Sequence, residues 1–454
     1  MNHAPQKIFR IRREYNTWVA NETLEDYALR YTPRAARKWG EWRVANTAFG
    51  GISFLALEAI GAALALNHGF ANAFWAIVAM GCVIFATALP ISVYAARHGL
   101  DMDLLTRGAG FGYLGSALTS LIYASFTFIF FALEAAIMAL ALEMALGWPL
   151  VLCYVVSALV IIPMVLWGIT FISRLQAWTQ PVWAVLLLAP FLWFAIAQPE
   201  LYSQLGQLSG QVSGHSEFDW LSFGAACTVV FALVVQVGEQ VDYLRFMPER
   251  TPANRWRWWG AVLAGGPGWV LLGVPRMLGG AFLAHVALQH GASIRQAMEP
   301  TYMYLAAYEH MLGNPQLALW AMAYAGSLAW SNVFARLTRS HPGRVAWLVF
   351  NVLIALLLMM LGVFGALETV LSIYSNVAVA WVGALVADLV INKPLGLSPA
   401  GVEFRRAYLY DLNPVGLGSM LLAALVASIA YAGLLGPQAA AFSPFIALTL
   451  ALLL

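Results

Sequence analysis

Apolar residues run along this chain in long blocks separated by short polar stretches. A membrane-spanning helix needs about 20 apolar residues. On that criterion spans are expected near 44–67, 70–96, 112–143, 149–171, 176–197, 219–241, 258–284, 316–336, 343–365, 366–391 and 413–435. A twelfth apolar run begins at about Ala439. Its residues to Leu454 would reach about 24 Å as a helix, short of the ~30 Å hydrocarbon core, so this last span reads as truncated. The blocks are long and lack the period-two alternation of a barrel. Helices satisfy every backbone group internally, so an all-α polytopic membrane bundle is expected.

Composition agrees. Of 454 residues, 61% are apolar and 10% charged, against about 25% charged in ordinary soluble proteins. That excludes a soluble enzyme, a disordered chain and a nucleic-acid binder, and makes the lipid bilayer the first partner. Cys82, Cys153 and Cys227 lie inside apolar runs with no metal-ligand spacing and read as small core residues. The first apolar run follows some forty polar and aromatic residues, so it is read as a true span and not a cleaved leader.

The basic residues fix the topology. Lys7, Arg10, Arg12, Arg13, Arg30, Arg34, Arg37, Lys38 and Arg43 fill the tail before the first span. Together with the loops after spans 2, 4, 6, 8 and 10, that side carries 22 of the 24 Lys and Arg residues. The exceptions are Arg295, in an opposite-side loop, and Arg276, inside span 7. The positive-inside rule makes the N-terminus cytoplasmic. Residues 1–43 are thus a cytoplasmic amphipathic tail and 44–454 a transmembrane domain. In the tail, Asn21 caps a helix that Thr32-Pro33 ends, and Trp39, Trp42 and Arg43 mark the membrane interface. It is either a surface anchor or a gate or docking element. On the opposite side, the loop 285–315 is expected to hold a short helix, roughly Ser293–Met311, placed to act as a lid.

Charged groups at bilayer depth are expensive unless they face an interior, so each is a candidate site. Glu58 lies mid-span 1, flanked by Gly50-Gly51 and Gly61, which weaken the helix there. Discontinuous transporter helices have this character, with carbonyls freed to bind a cation. The alternative is a glutamate hydrogen-bonded between helices. Glu134, mid-span 3, shares a helical face with Thr127 and Phe130. In span 6, Gln236 is deep enough to hydrogen-bond a planar polar ligand, while Glu239 and Asp242 suit a gating salt bridge near the cytoplasmic face. In span 8, Ser327 and Ser331 stack at i and i+4, either completing a small-cation site or joining helices, with Asn332 beside them. Pro181, Pro190, Pro275 and Gly265-Gly266-Pro267-Gly268 are kink and hinge signals. There is no G-x-x-x-x-G-K-[ST], H-E-x-x-H or C-x-x-C motif, so the chain is expected to be neither an enzyme nor an ATPase.

Several segments carry a family resemblance: Ala96-Arg97-His98-Gly99-Leu100, Leu104-Leu105-Thr106-Arg107, Gly110-Phe111-Gly112, Asp242-Tyr243-Leu244-Arg245-Phe246, and Ala387 to Lys393. Through them roughly 44–393 resembles the nucleobase–cation symporter family of the cytosine-permease and hydantoin-transporter type. The resemblance implies a leucine-transporter-like fold of two inverted five-helix repeats, about 44–197 and 219–391, plus extra helices at about 413–454. It also implies sodium held by carbonyls at Gly51 and Leu55 and hydroxyls at Ser331, with Ser327 nearby. Asn332 matches an asparagine that bonds the base. Thr127 and Phe130 stand where the family has glutamine and tryptophan, Leu233 where it has an aromatic, Trp330 where a hydroxyl is expected, and Glu58 where it has a small residue.

These substitutions suggest an altered pocket in which Glu58 meets a cationic or amine-bearing solute, or carries a proton in place of sodium. The expected function is an ion-coupled secondary transporter of a small nitrogenous solute such as a nucleobase, with sodium or a proton as coupling ion and no organic cofactor. The candidate substrate site is Glu58, Thr127, Phe130, Glu134, Gln236 and Asn332; the candidate cation site is Gly51, Leu55, Ser327 and Ser331. The tail and opening span are also similar to N-terminal membrane domains of some bacterial hybrid sensor histidine kinases. The alternative is therefore a solute-sensing input domain with a kinase domain downstream, in a bacterial inner membrane.

Overall fold

The computed structural model describes residues 32, 34, 37–50, 54–160, 162, 168–332, 344–403, 405 and 408–454; at 168–177, 179–180, 326–332 and 344–348 it describes the backbone only. Among these residues the regular structure is helical, as expected. The first expected span is two helices, α1 (Glu41–Gly50) and α2 (Ala56–His68). Then come α3 (Phe70–His98), the short α4 (Met102–Thr106), α5 (Gly115–Leu146), α6 (Leu150–Leu159), α7 (Gly168–Ala197) and α8 (Glu200–Gln204). The next expected span is α9 (Trp220–Phe231), a tighter turn at Ala232–Val235, and α10 (Gln236–Leu244). After these follow α11 (Arg255–Gly265), α12 (Val270–Gln289), α13 (Ile294–Met298), α14 (Pro300–Leu312), α15 (Pro315–Asn332), α16 (Arg344–Met360), α17 (Leu367–Val386), α18 (Pro414–Tyr431), α19 (Pro437–Ala441) and α20 (Ser443–Leu453).

Six described helices are long and apolar enough to cross a bilayer, and a seventh if the pair Pro181–Ala197 and Glu200–Gln207, bent by 96°, is one span. This is an integral membrane protein. Fewer helices pass than the eleven complete spans expected: α1 and α2 are each too short alone, and the blocks 149–171, 316–336 and 343–365 include residues outside those described. Two boundaries differ as well. The loop expected between 171 and 176 is helical, inside α7, so Arg174 lies on a helix rather than in a turn. The apolar run from Ala439 is interrupted near Phe442 and resumes as α20, which packs against α17 and α18. Cys82, expected in the core, is exposed, whereas Cys153 and Cys227 are buried.

The expected amphipathic helix of the tail lies outside the described residues, but the tail's end docks onto the bundle. The Thr32 amide donates to the Gly99 carbonyl at 2.8 Å, and Arg37 donates to the carbonyls of Thr32, Ala96 and Arg97 at the inner end of α3. Gly99 ends α3 with φ +70°, a conformation that favours glycine. Trp39 stacks on Phe246 at 5.5 Å. The end of the tail is therefore joined to the C-terminal end of α3 and to Phe246 just beyond α10.

On the opposite side the expected single helix is two, α13 and α14, parted at Glu299-Pro300. Ser293 and Gln296 form a reciprocal capping box that starts α13. Tyr304 and Tyr308 of α14 are buried, and the Tyr308 hydroxyl donates to the Leu186 carbonyl of α7 at 2.8 Å.

Candidate functional site

The site is built around the break between α1 and α2. A helix start leaves its first amides without intrahelical acceptors. Here Glu134 reaches across from α5, and its Oε1 accepts from the Ala56 amide at 2.6 Å. The carboxylate also complements the positive end of the α2 dipole. Phe54, just before the break ends, packs edge-on against Phe130 at 5.7 Å, and Phe130 lies 4.4 Å from Phe126. Tyr374 of α17 extends this aromatic column to Phe126 and donates to the Ile122 carbonyl at 2.6 Å.

One turn into α2 lies Glu58, 1% exposed. Its partner is Arg276 of α12. Arg276 Nε donates to Oε1 at 2.8 Å and Nη2 to Oε2 at 2.6 Å. Nη2 also donates to the Phe54 carbonyl. The guanidinium lies over the Trp183 ring of α7, 5.0 Å from its centroid. This contact needs the two helices very close, and glycines permit it. A Cβ on Gly61 would strike the Met277 carbonyl, and one on Gly280 would strike the Glu58 backbone. Small residues bring membrane helices together in this way.

The continuous helical stretch Trp220–Leu244 gives a polar counterpart. The tight turn Ala232–Val235 precedes Gln236, whose Nε2 donates to Glu239 Oε2 at 2.7 Å. Gln240, its amide oriented to match its neighbours, donates to the carbonyls of Gly265 and Ala48, so it ties α10 to α1 and α11. Farther inward, Asp242 accepts from the Tyr123 hydroxyl at 3.1 Å and the Met102 amide at 3.4 Å. Arg245 stands 3.8 Å from Asp101, which itself caps α4 through the Leu104 amide. Asp388 pairs with Lys393 at 3.3 Å.

Of the expected site residues, the fold brings together Glu58, Glu134, Phe130 and Leu55 at the first break. The Leu55 carbonyl accepts the Ala59 amide at 3.2 Å, the opening bond of α2. Thr127 is half-buried and donates to the Tyr123 carbonyl of its own helix at 3.3 Å. Gln236 follows the tight turn within the stretch Trp220–Leu244. Gly51 lies outside the described residues, as do the side chains of Ser327, Ser331 and Asn332, although their backbone belongs to α15. Sequence reasoning missed Arg276 as the partner of Glu58, and Trp183 and Tyr304 around it. A signal existed, since Arg276 is a basic residue inside an expected membrane span, and it follows Pro275.

No known family profile matches the sequence, and no curated protein does. Solved structures do. Mhp1, a nucleobase-cation-symport-1 family transporter, in a closed conformation with bromovinylhydantoin bound, superposes with a TM-score of 0.66 at 18% identity, covering 94% of each chain. The inward-facing conformation of Mhp1 gives 0.69 at 18% identity, over 95% of this chain and 92% of that one. This chain has the leucine-transporter-like fold. A substrate-bound, outward-open Na+-coupled sialic acid symporter shares it, with a TM-score of 0.61 at 12% identity over 97% and 94% of the two chains. Within this fold the two parts of the first span pack on the stretch Trp220–Leu244, α1 on α10 and α2 on α9. None of these structures lends support to a downstream kinase domain.

Proposed function

We propose that the protein is a secondary transporter that moves a small, planar, nitrogenous solute of the nucleobase or hydantoin kind by alternating access. The observation that carries this reading is the first helix break. The helix after it is capped by Glu134 from another helix, and the rings of Phe54, Phe126 and Phe130 pack together beside it. Broken helices beside aromatic rings offer what such a solute needs: polar backbone ends at membrane depth and a π-face for stacking. Similarity of fold to Mhp1 with bromovinylhydantoin bound supports the solute class.

The site's charge favours a neutral solute over an amine. Glu58 is already matched by Arg276, so the pair presents no net charge for a cationic solute to neutralise.

The test is uptake by proteoliposomes of a radiolabelled panel of nucleobases and hydantoins, with Phe130→Ala alongside. Stacking of a base on an aromatic ring contributes about 1–3 kcal/mol, so affinity should fall roughly ten-fold or more. Unchanged affinity in Phe130→Ala would sink the site assignment. Failure of every member of the panel to bind would sink the solute class. Transport, as opposed to binding alone, separates a carrier from a solute-sensing input domain.

A further inference from the structure

A break in a membrane helix creates an electrostatic problem that Arg276 solves. At the start of α2 the Phe54 carbonyl precedes the regular ladder, and the Glu58 carboxylate lies one turn farther on, buried. A backbone carbonyl and a carboxylate in apolar surroundings form a natural set of hard oxygen ligands for a small cation. Leaving them uncompensated is expensive, since a charge at this depth has no water to solvate it. Three donor contacts from one guanidinium satisfy the same oxygens: two to Glu58 and one to the Phe54 carbonyl.

We propose that Arg276 is a tethered cation, supplying at the first helix break the positive charge that a bound sodium ion would otherwise provide, so that the protein forms its closed site without sodium. This goes beyond the transport reading and contacts it only in using the same helix break.

The chemistry of the side chain makes the substitution permanent. A guanidinium keeps its proton at any physiological pH and cannot dissociate from the chain. Arg276 is held from three sides: by the carboxylate, by the Phe54 carbonyl and by the face of Trp183. Gly280 holds α12 against the Glu58 backbone, so its neighbour one turn back is delivered to the carboxylate by packing. A fixed charge neither enters nor leaves during a transport cycle. No sodium gradient can do work through this break, and any coupling uses an ion other than sodium.

The experiment needs no solute. Thermal unfolding of the purified full chain in detergent is followed by tryptophan fluorescence while sodium chloride is titrated against choline chloride at constant ionic strength. Wild type should show no sodium-specific shift. Arg276→Gln leaves Glu58 without its partner and should gain a saturable, sodium-specific rise of roughly 3 °C or more. Arg276→Lys keeps the charge and should remain indifferent to sodium. A saturable sodium-specific stabilisation of wild type overturns the proposal, and so does a folded Arg276→Gln that sodium leaves unmoved. Should Arg276→Gln not fold, binding of radioactive sodium to wild type decides: none upholds the proposal, and saturable binding overturns it. Loss of nucleobase transport would touch none of these outcomes.

Discussion

The carboxylate of Glu134 caps the backbone amide of Ala56 at 2.6 Å, across 78 residues of sequence. A side chain from one helix thus terminates another, and the two are joined where the first membrane span is interrupted. Ordinary caps come from the residue next to the helix start. Here Leu55 occupies that place and makes no side-chain cap.

Glu134→Ala should therefore destabilise the protein by about 1–3 kcal/mol, the loss expected when a buried donor is orphaned. Glu134→Gln keeps an acceptor and should lose only the charge–dipole part, about 0.3–1 kcal/mol. Thermal unfolding in detergent ranks the two. If both melt with wild type, Glu134 does not hold the break.

Glu58 and Arg276 should behave as a coupled pair. Breaking a buried ion pair from one side is destabilising by about 3–5 kcal/mol, whereas replacing both partners by apolar groups of similar size is often near neutral. Glu58→Met and Arg276→Met should each lower folded yield steeply, and the double variant should recover most of it. Additive losses in a double-mutant cycle would show that the contact is not energetically real.

The crossing of α2 and α12 predicts a sharp contrast between glycines. Gly280→Ala places a methyl group against the Glu58 backbone, and overpacking of this kind is destabilising by about 1–3 kcal/mol or more. Gly206→Ala meets nothing within 4 Å and should be neutral. Size-exclusion profiles and melting temperatures of the two variants check this. Equal behaviour would mean that the helices do not touch through Gly280.

On the outer side, His290 and His310 give a pH dependence. His290 Nδ1 stands 2.7 Å from the Val286 carbonyl, so that nitrogen carries the proton, and its Nε2 accepts from His310 Nε2 at 2.8 Å. Burial, and then the neighbouring His290, push His310 below the usual histidine range. The folded state thus resists protonation more than the unfolded chain does. The stability that the contact contributes is fully present above about pH 6.5 and is lost as pH falls through the lower native value. Because the pair is exposed, the result should be local loosening of α14, seen as faster amide exchange under mild acid. His310→Asn should flatten that dependence; an unchanged profile would assign it to another group.

How much of this was legible beforehand varies by element. The membrane class and the all-helical architecture followed from apolar run length, and glycine placement pointed to a weakened helix around Glu58; the described break lies at Phe54-Leu55. The tightened turn inside the helical stretch Trp220–Leu244 did not follow from either. The turn Ala232–Val235 consists of residues that favour regular structure locally, and it lies inside an unbroken apolar run. The start of α7 was misplaced because Arg174 resembled a loop residue, although a basic side chain near a helix end can reach the interface.

The sequence by itself determined the solvent, the helix type and the presence of buried acids, because those depend on composition and on neighbours a few positions apart. It marked Glu58 and Glu134 as unusual for the same reason: a carboxylate inside an apolar run stands out without any structure. Only the tertiary structure decided what each acid does. Whether a buried carboxylate binds a solute, caps a helix or meets a guanidinium depends on what lies opposite, and Ala56 and Arg276 are 78 and 218 residues away in the chain. Glycines that let α2 and α12 close to backbone contact set that pairing, and such distances are a property of packing that no local pattern encodes.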